Sequence, residues 1–163
     1  MRLFSLSLLV IVAGSGCAGS RWSVVDARPL VAVTVAPAEL HGPVDRLLVA
    51  QRRGAMLGEL RARGYQVLEA AAAGVPTLTV KFEGTLVDDS QLHAPDDARH
   101  GIRNDLHYQF VSYQVHLDVV DASGRIVVCG SASSNQDPEG AVAELTARLV
   151  HDVPAAAATY AAR

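Results

Sequence analysis

Residues 108–133 read YQFVSYQVHLDVVDASGRIVVCGSAS, and the fold turns on this stretch. Val111, Tyr113, Val115, Leu117 and Val119 alternate with Ser112, Gln114, His116 and Asp118. Successive side chains of a strand point to opposite faces, so the alternation predicts one buried face and one wet face. Asp121-Ala122-Ser123-Gly124 then makes the turn, with aspartate favoured at its first position and glycine accepting the left-handed backbone that returns the chain. A second strand runs back over 125–132, completing a long antiparallel hairpin with one face on a core.

Beyond the hairpin, Asp137-Pro138 predicts a helix start: the carboxylate accepts from exposed amides, and proline presets φ where no amide bond is needed. Val142, Leu145, Leu149 and Val153 keep helical spacing, so one stripe covers the sheet until Pro154 stops the helix. His151 in the last turn is placed to complement the negative helix end. An alanine-rich tail, 155–163, follows.

Before the hairpin, Leu78, Val80 and Phe82 alternate within 77–83 and predict a strand with one buried face. A short strand is read at 65–68, and the β-branched run 30–35, ended by Pro37, reads as a buried strand. Between these, Pro43 opens a helix to about residue 63, closed by Gly64 just past its end. Its apolar residues do not share one stripe, since Val44, Leu48 and Ala55 lie on one face and Met56 and Leu60 well round from it. Arg46, Arg52, Arg53, Arg61 and Arg63 make this helix basic; a solvated face explains them, with anionic head groups or acidic partners as the functional alternative.

The order strand, helix, strand, strand, hairpin, helix predicts a single α+β domain over 30–154, one antiparallel or mixed sheet of about four to five strands with two helices on one face. A chain of 163 residues, half of them hydrophobic, suits one core. Only 5% are aromatic, so that core rests on Val, Leu and Ala with rings such as Phe82, Phe110 and Tyr113. A formal net charge of −3 offers phosphate no attraction, which argues against a nucleic-acid partner.

The first residues carry an address. Arg2 is followed by the apolar stretch 3–13 and then Gly14-Ser15-Gly16-Cys17, the layout of a secretory signal over 1–16. The stretch is too short to span a bilayer. Small residues ahead of a cysteine resemble a lipobox, which implies cleavage before Cys17 and acylation of its thiol by palmitate or a similar chain. Two or three buried acyl chains at ~0.8 kcal/mol per methylene make release from the membrane negligible. Residues 17–29 then read as lipidated cysteine and tether. Aspartate after the lipidated cysteine tends to retain bacterial lipoproteins in the inner membrane; Ala18 stands here, which favours the periplasmic face of the outer membrane. With Cys17 consumed, Cys129 is the remaining thiol and no intramolecular disulfide can form. Lying in the apolar run 126–129, Cys129 reads as a buried small hydrophobe.

The second half resembles a family of small bacterial lipoproteins, domain-of-unknown-function family 4136, mainly over 106–154. The likeness rests on the run 117–128, on Gly130-Ser131-Ala132-Ser133, and on a terminal helix with Ala143 and Leu149 ahead of Val153-Pro154; Gly64-Tyr65 is similar to the end of that family's first helix. The resemblance implies an envelope protein and assigns no activity.

Between the two central strands, 88–107 is polar and long for a hairpin connection, and such loops usually carry function. Asp89, His93, Asp96, Asp97 and His100 are the candidate partner-binding residues. The segment is charged, carries Pro95 and Gly101, and lacks an apolar run to offset the entropy of ordering, so it reads as a mobile recognition loop. Imidazoles and carboxylates also bind divalent ions, and His93, His100 and His107 with an aspartate make a conceivable set, though at a spacing that matches no defined motif. No nucleophile elbow, phosphate-binding glycine loop or metalloprotease helix motif occurs. The sequence therefore points to a membrane-anchored binding or structural module of the cell envelope, not an enzyme, with no metal or cofactor and with an envelope protein or lipid as partner. A metal-dependent periplasmic enzyme using the 88–107 loop is the alternative.

Overall fold

The computed structural model describes residues 21–88 and 109–156. Among them the chain forms seven strands and two helices: β1 (Arg21–Val24), β2 (Ala32–Val35), β3 (Glu39–His41), α1 (Arg46–Ala62), β4 (Gln66–Leu68), β5 (Thr77–Asp88), β6 (Gln109–Val120), β7 (Ile126–Asn135) and α2 (Glu139–Asp152). The strands make one mixed sheet in the order β1-β7-β6-β5-β2-β4, with β3 beside β5 beyond the end of β2. The α+β class and the two helices agree with the sequence reading; the sheet has seven strands, not four to five.

The two additional strands are short. β1 lies inside 17–29, the stretch read as tether, and pairs antiparallel with β7 from Arg21↔Ser131 to Val24↔Val128. β3 follows Pro37 and pairs parallel with β5 at 81–83. β5 is also longer than its alternation suggested and pairs with β6 along its whole length, Thr77↔Val120 to Asp88↔Gln109.

Core packing follows the hairpin's alternation. Tyr113, Val115, Leu117 and Val119 are buried on β6, and Leu78, Val80 and Phe82 on β5. They form one core with Val33 and Val35 of β2, Val49, Met56, Leu57 and Leu60 of α1, and Val142, Leu145 and Leu149 of α2. Both helices thus cover the same face of the sheet, while the other face carries the polar members of each strand.

At the turn, Gly124 takes φ +82° and its amide donates to the Asp121 carbonyl at 2.9 Å. The Asp121 carboxylate accepts from the Ser123 amide and hydroxyl and from the Arg125 amide, and these bonds hold its pKa down at about 2. A bulge at Val119/Val120 interrupts the β6–β7 ladder just before the turn. As a result Val127 and Val128 are both buried, and Cys129 is delivered to the polar face, half-buried, opposite Asp118. This corrects the reading of Cys129 as a core residue.

α1 begins at Arg46, three residues after Pro43, with Asp45 as N-cap accepting from the Leu47 and Leu48 amides. At the other end Gly64 has φ +93°, its amide donates to the Arg61 carbonyl, and the Tyr65 amide donates to the Leu60 carbonyl, a Schellman closure. The buried stripe is Val49, Met56, Leu57 and Leu60, with Arg53 inside it, whereas Ala55 is exposed and Leu48 half-buried. The sequence reading had grouped the wrong residues. Four of the five arginines have internal partners: Arg52 pairs with Asp137 and Glu139, Arg53 donates to the Ala36 carbonyl, Arg61 lies 3.7 Å from Glu69, and Arg63 bonds Glu59.

α2 starts after Asp137, whose carboxylate accepts from the Glu139 amide at 2.8 Å. His151 is exposed and its Nδ1 meets Asp152 Oδ1 at 2.6 Å, a side-chain pairing where the sequence suggested a helix-end contact. The chain past α2 stays engaged: the Val153 carbonyl accepts from the Tyr65 hydroxyl, Ala155 bridges Leu30, and the Ala156 amide donates to the Leu30 carbonyl at 2.9 Å.

Candidate functional site

The polar face of the sheet gathers the richest chemistry among the described residues. Register sets its rows: Glu39, Lys81, His116, Ser131 and Arg21 lie side by side across five strands, and Thr79, Asp118, Cys129 and Ser23 form the next row. A depression of about 590 Å³ opens there, lined among others by Arg21, Ser23, His116, Asp118, Cys129 and Ser131.

Electrostatics on this face are local. Lys81 Nζ bonds Glu83 Oε1 at 2.5 Å, which holds the lysine pKa up and the Glu83 carboxyl below its usual range. His116 Nε2 stands 3.9 Å from Glu83 Oε2. Burial pushes the Asp118 carboxyl up, partly offset by His116. Burial, with Asp118 adding repulsion, also pushes the Cys129 thiol up, so it is a protonated thiol at neutral pH and a poor nucleophile. Although Ser131 and His116 are cross-strand neighbours, no hydrogen bond joins them, and nucleophilic catalysis requires a base within reach of its hydroxyl. Among the described residues no three His, Cys, Asp or Glu side chains are grouped to hold a metal ion.

A second concavity, about 610 Å³, lies between the helices and is lined by Arg52, Met56, Glu59, Val142, Thr146 and Val150 among others. Its walls are apolar and its rims charged. Arg52 closes one end through its bonds to Asp137 and Glu139; these hold the Asp137 carboxyl below its usual range and raise the arginine.

Neither concavity can be compared with the residues singled out in the sequence. Cys17, and Asp89, His93, Asp96, Asp97 and His100 of the 88–107 loop, lie outside the described residues, as does His107. His116 and Asp118 were placed on the wet face correctly, but their meeting with Cys129 was missed, because the signal for it is the bulge and not the local pattern. No helix among the described residues is long and apolar enough to cross a membrane.

No family model matches the chain, and no curated protein matches it. The likeness to family 4136 is therefore not carried to membership. Among solved structures, the chain is similar to two of the PelC dodecamer from Paraburkholderia phytofirmans, both at 13% identity. One has a TM-score of 0.48 over 84% of this chain and 97% of that chain, the other 0.47 over 85% and 98%. A minor lipoprotein from Acinetobacter baumannii matches at 11% identity and a TM-score of 0.41, covering 76% of this chain and 92% of that one. Likeness at this level carries nothing about function.

Proposed function

We propose that the chain is a lipid-anchored binding or structural module of the bacterial cell envelope, held through Cys17 and without catalytic activity. The observation that carries the reading is the apolar stretch 3–13 closed by Gly14-Ser15-Gly16-Cys17, only four residues ahead of the folded domain at Arg21. The cysteine's chemistry suits acylation, and Ala18 behind it favours the periplasmic face of the outer membrane. A binding role is supported by the polar face of the sheet, on which neither helix packs, where the Cys129 thiol is held protonated and, among the described residues, Ser131 is not bonded to His116. The partner class is an envelope protein or lipid.

The test is acylation. Wild-type protein should take up radiolabelled fatty acid and fractionate with membranes, and Cys17→Ser should lose the label and stay unprocessed or leave the membrane. Equal label in both, or wild-type protein wholly in the soluble fraction, defeats the proposal.

A further inference from the structure

Three polar side chains of the polar sheet face line the same depression of about 590 Å³ and find no bonding partner in the fold. Ser131 is only 7% exposed, yet among the described residues its hydroxyl makes no hydrogen bond. Asp118 is half-buried, and among the same residues its carboxylate accepts no hydrogen bond; burial pushes the carboxyl up against the pull of His116 and Lys81. Arg21 is exposed, and its guanidinium pairs with no carboxylate among the described residues. Buried polar groups are ordinarily bonded, and a charge held in partial burial without a bonded partner is unfavourable. Three such groups on one concavity mark a site whose partner comes from outside the chain.

Register fixes how the groups are disposed. Arg21, Ser131 and His116 stand directly opposite one another on β1, β7 and β6, so adjacent side chains are ~4.5–5.5 Å apart. That row offers a guanidinium fork, a hydroxyl and an imidazole to an anion lying over Ser131. Donors on two sides of Ser131 suit a tetrahedral phosphate, whose oxygens point in several directions, better than a planar carboxylate. Asp118 lies diagonally from Ser131 in the next row, ~7–8 Å away. Cys129 beside it is a protonated thiol and adds no charge.

Charge then selects the ligand. A simple anion over Ser131 is attracted by Arg21 but repelled by Asp118, and a simple cation meets the reverse. Glu83 is taken up by Lys81, which also stands in the row between Glu39 and the site. A zwitterion whose phosphate and ammonium are a few bonds apart answers both groups at once, and its ammonium gives the Asp118 carboxylate the donors it lacks.

We propose that this depression binds a phosphoethanolamine group, with the phosphate over Ser131 between Arg21 and His116 and the primary ammonium on Asp118. The inference rests on the binding role read for this face and not on acylation of Cys17. The same group is carried by a phosphatidylethanolamine headgroup and by the free ester, and the two sources separate by experiment.

The full chain, purified in a maltoside detergent without added lipid, is titrated with O-phosphoethanolamine and followed by broadening of the ester's phosphorus NMR line. Inorganic phosphate and ethanolamine should each compete about tenfold or more less well, as should phosphocholine, which keeps both charges but has no N–H to donate. Arg21→Gln, at an exposed position where folding is not at stake, and Asp118→Asn should each weaken binding about tenfold or more. Gln114→Ala, on the same face outside the depression, should leave it unchanged. Displacement of the ester by phosphatidylethanolamine in the same detergent, but not by phosphatidylcholine, identifies a lipid headgroup; binding of the ester without such displacement identifies the free ester, and either supports the site. Unchanged affinity in Arg21→Gln and Asp118→Asn, inorganic phosphate competing as well as the ester itself, or no broadening in folded wild-type protein overturns the inference. Fatty-acid label in the same preparation reports on the anchor separately: label without ester binding overturns this inference alone, and ester binding without label overturns the anchor alone.

Discussion

Gly130→Ala tests how β1 closes the sheet. A Cβ added at Gly130 would lie 2.3 Å from Trp22 Cε3 and 2.7 Å from Cζ3, with Leu145 Cδ2 at 3.1 Å. Unbonded carbons rest at ~3.5–4.0 Å, so the indole must retreat by about 1 Å or more. It is not free to do so, because its Nε1 donates to Asp152 Oδ2 at 2.7 Å and ties β1 to the end of α2. Overpacking of this kind costs ~1–3 kcal/mol, and alanine's advantage over glycine in a strand returns only ~0.5–1 kcal/mol. A net loss of about 1–2 kcal/mol is expected in urea unfolding followed by circular dichroism. In a Trp22→Ala background the obstacle is gone, and Gly130→Ala should be neutral or slightly stabilising, a coupling of ~1–3 kcal/mol across the cycle. Equal effects of Gly130→Ala in the two backgrounds would refute the argument, since the cost would then belong to the strand and not to the ring above it.

Leu117→Ala should cost ~2–5 kcal/mol in the same assay, whereas His116→Ala, on the polar face, should cost little; comparable losses would mean the β6 register is off by one. Asp121, whose folded pKa of about 2 lies below its unfolded value near ~3.9, contributes stability above the unfolded pKa that is lost as pH falls through the folded one, so Asp121→Asn should flatten the acid limb of stability between about pH 4 and pH 2. Asp118→Asn should raise the urea midpoint at neutral pH, because burial opposes its charge; a lower midpoint would show that its attraction to His116 and Lys81 outweighs that cost.

The hairpin was legible because β6 has a wet face: with Ser112, Gln114, His116 and Asp118 polar, the period of two is visible. Where both neighbours of a position are apolar the period vanishes. In 126–129 nothing in the sequence marks the bulge that buries Val127 and Val128 together and turns Cys129 outward. α1 was legible as a helix but not as a stripe, because Arg53 occupies a core-side position to reach the Ala36 carbonyl while Leu47 is exposed. The reading of β5 stopped at 83, one residue short of Gly84, where a Cβ would stand 2.7 Å from the Pro43 carbonyl, a long-range reason for glycine that no local pattern carries. β1 and β3 are three or four residues long, too short for periodicity, and β1 is recognisable only from the fit of Trp22 over Gly130. Of the candidate site, the polar rows could be read strand by strand, but not which residues of different strands stand together, since register depends on the turn and its bulge.

The bond between Trp22 and Asp152 joins positions 130 residues apart, and among the described residues β1 pairs with β7 alone. Contacts of such separation form late, after the entropy of closing the intervening chain has been overcome by shorter-range pairing. A chain emerging N-terminus first delivers β1 before any surface exists to receive it. The hairpin of β6 and β7 and the α2 helix must assemble first, and docking of Trp22 over Gly130 is then the closing step of folding. Until that step the outer edge of β7 is an open row of backbone donors and acceptors, so a variant that delays β1 should betray itself by edge-to-edge association during folding before any loss of native stability.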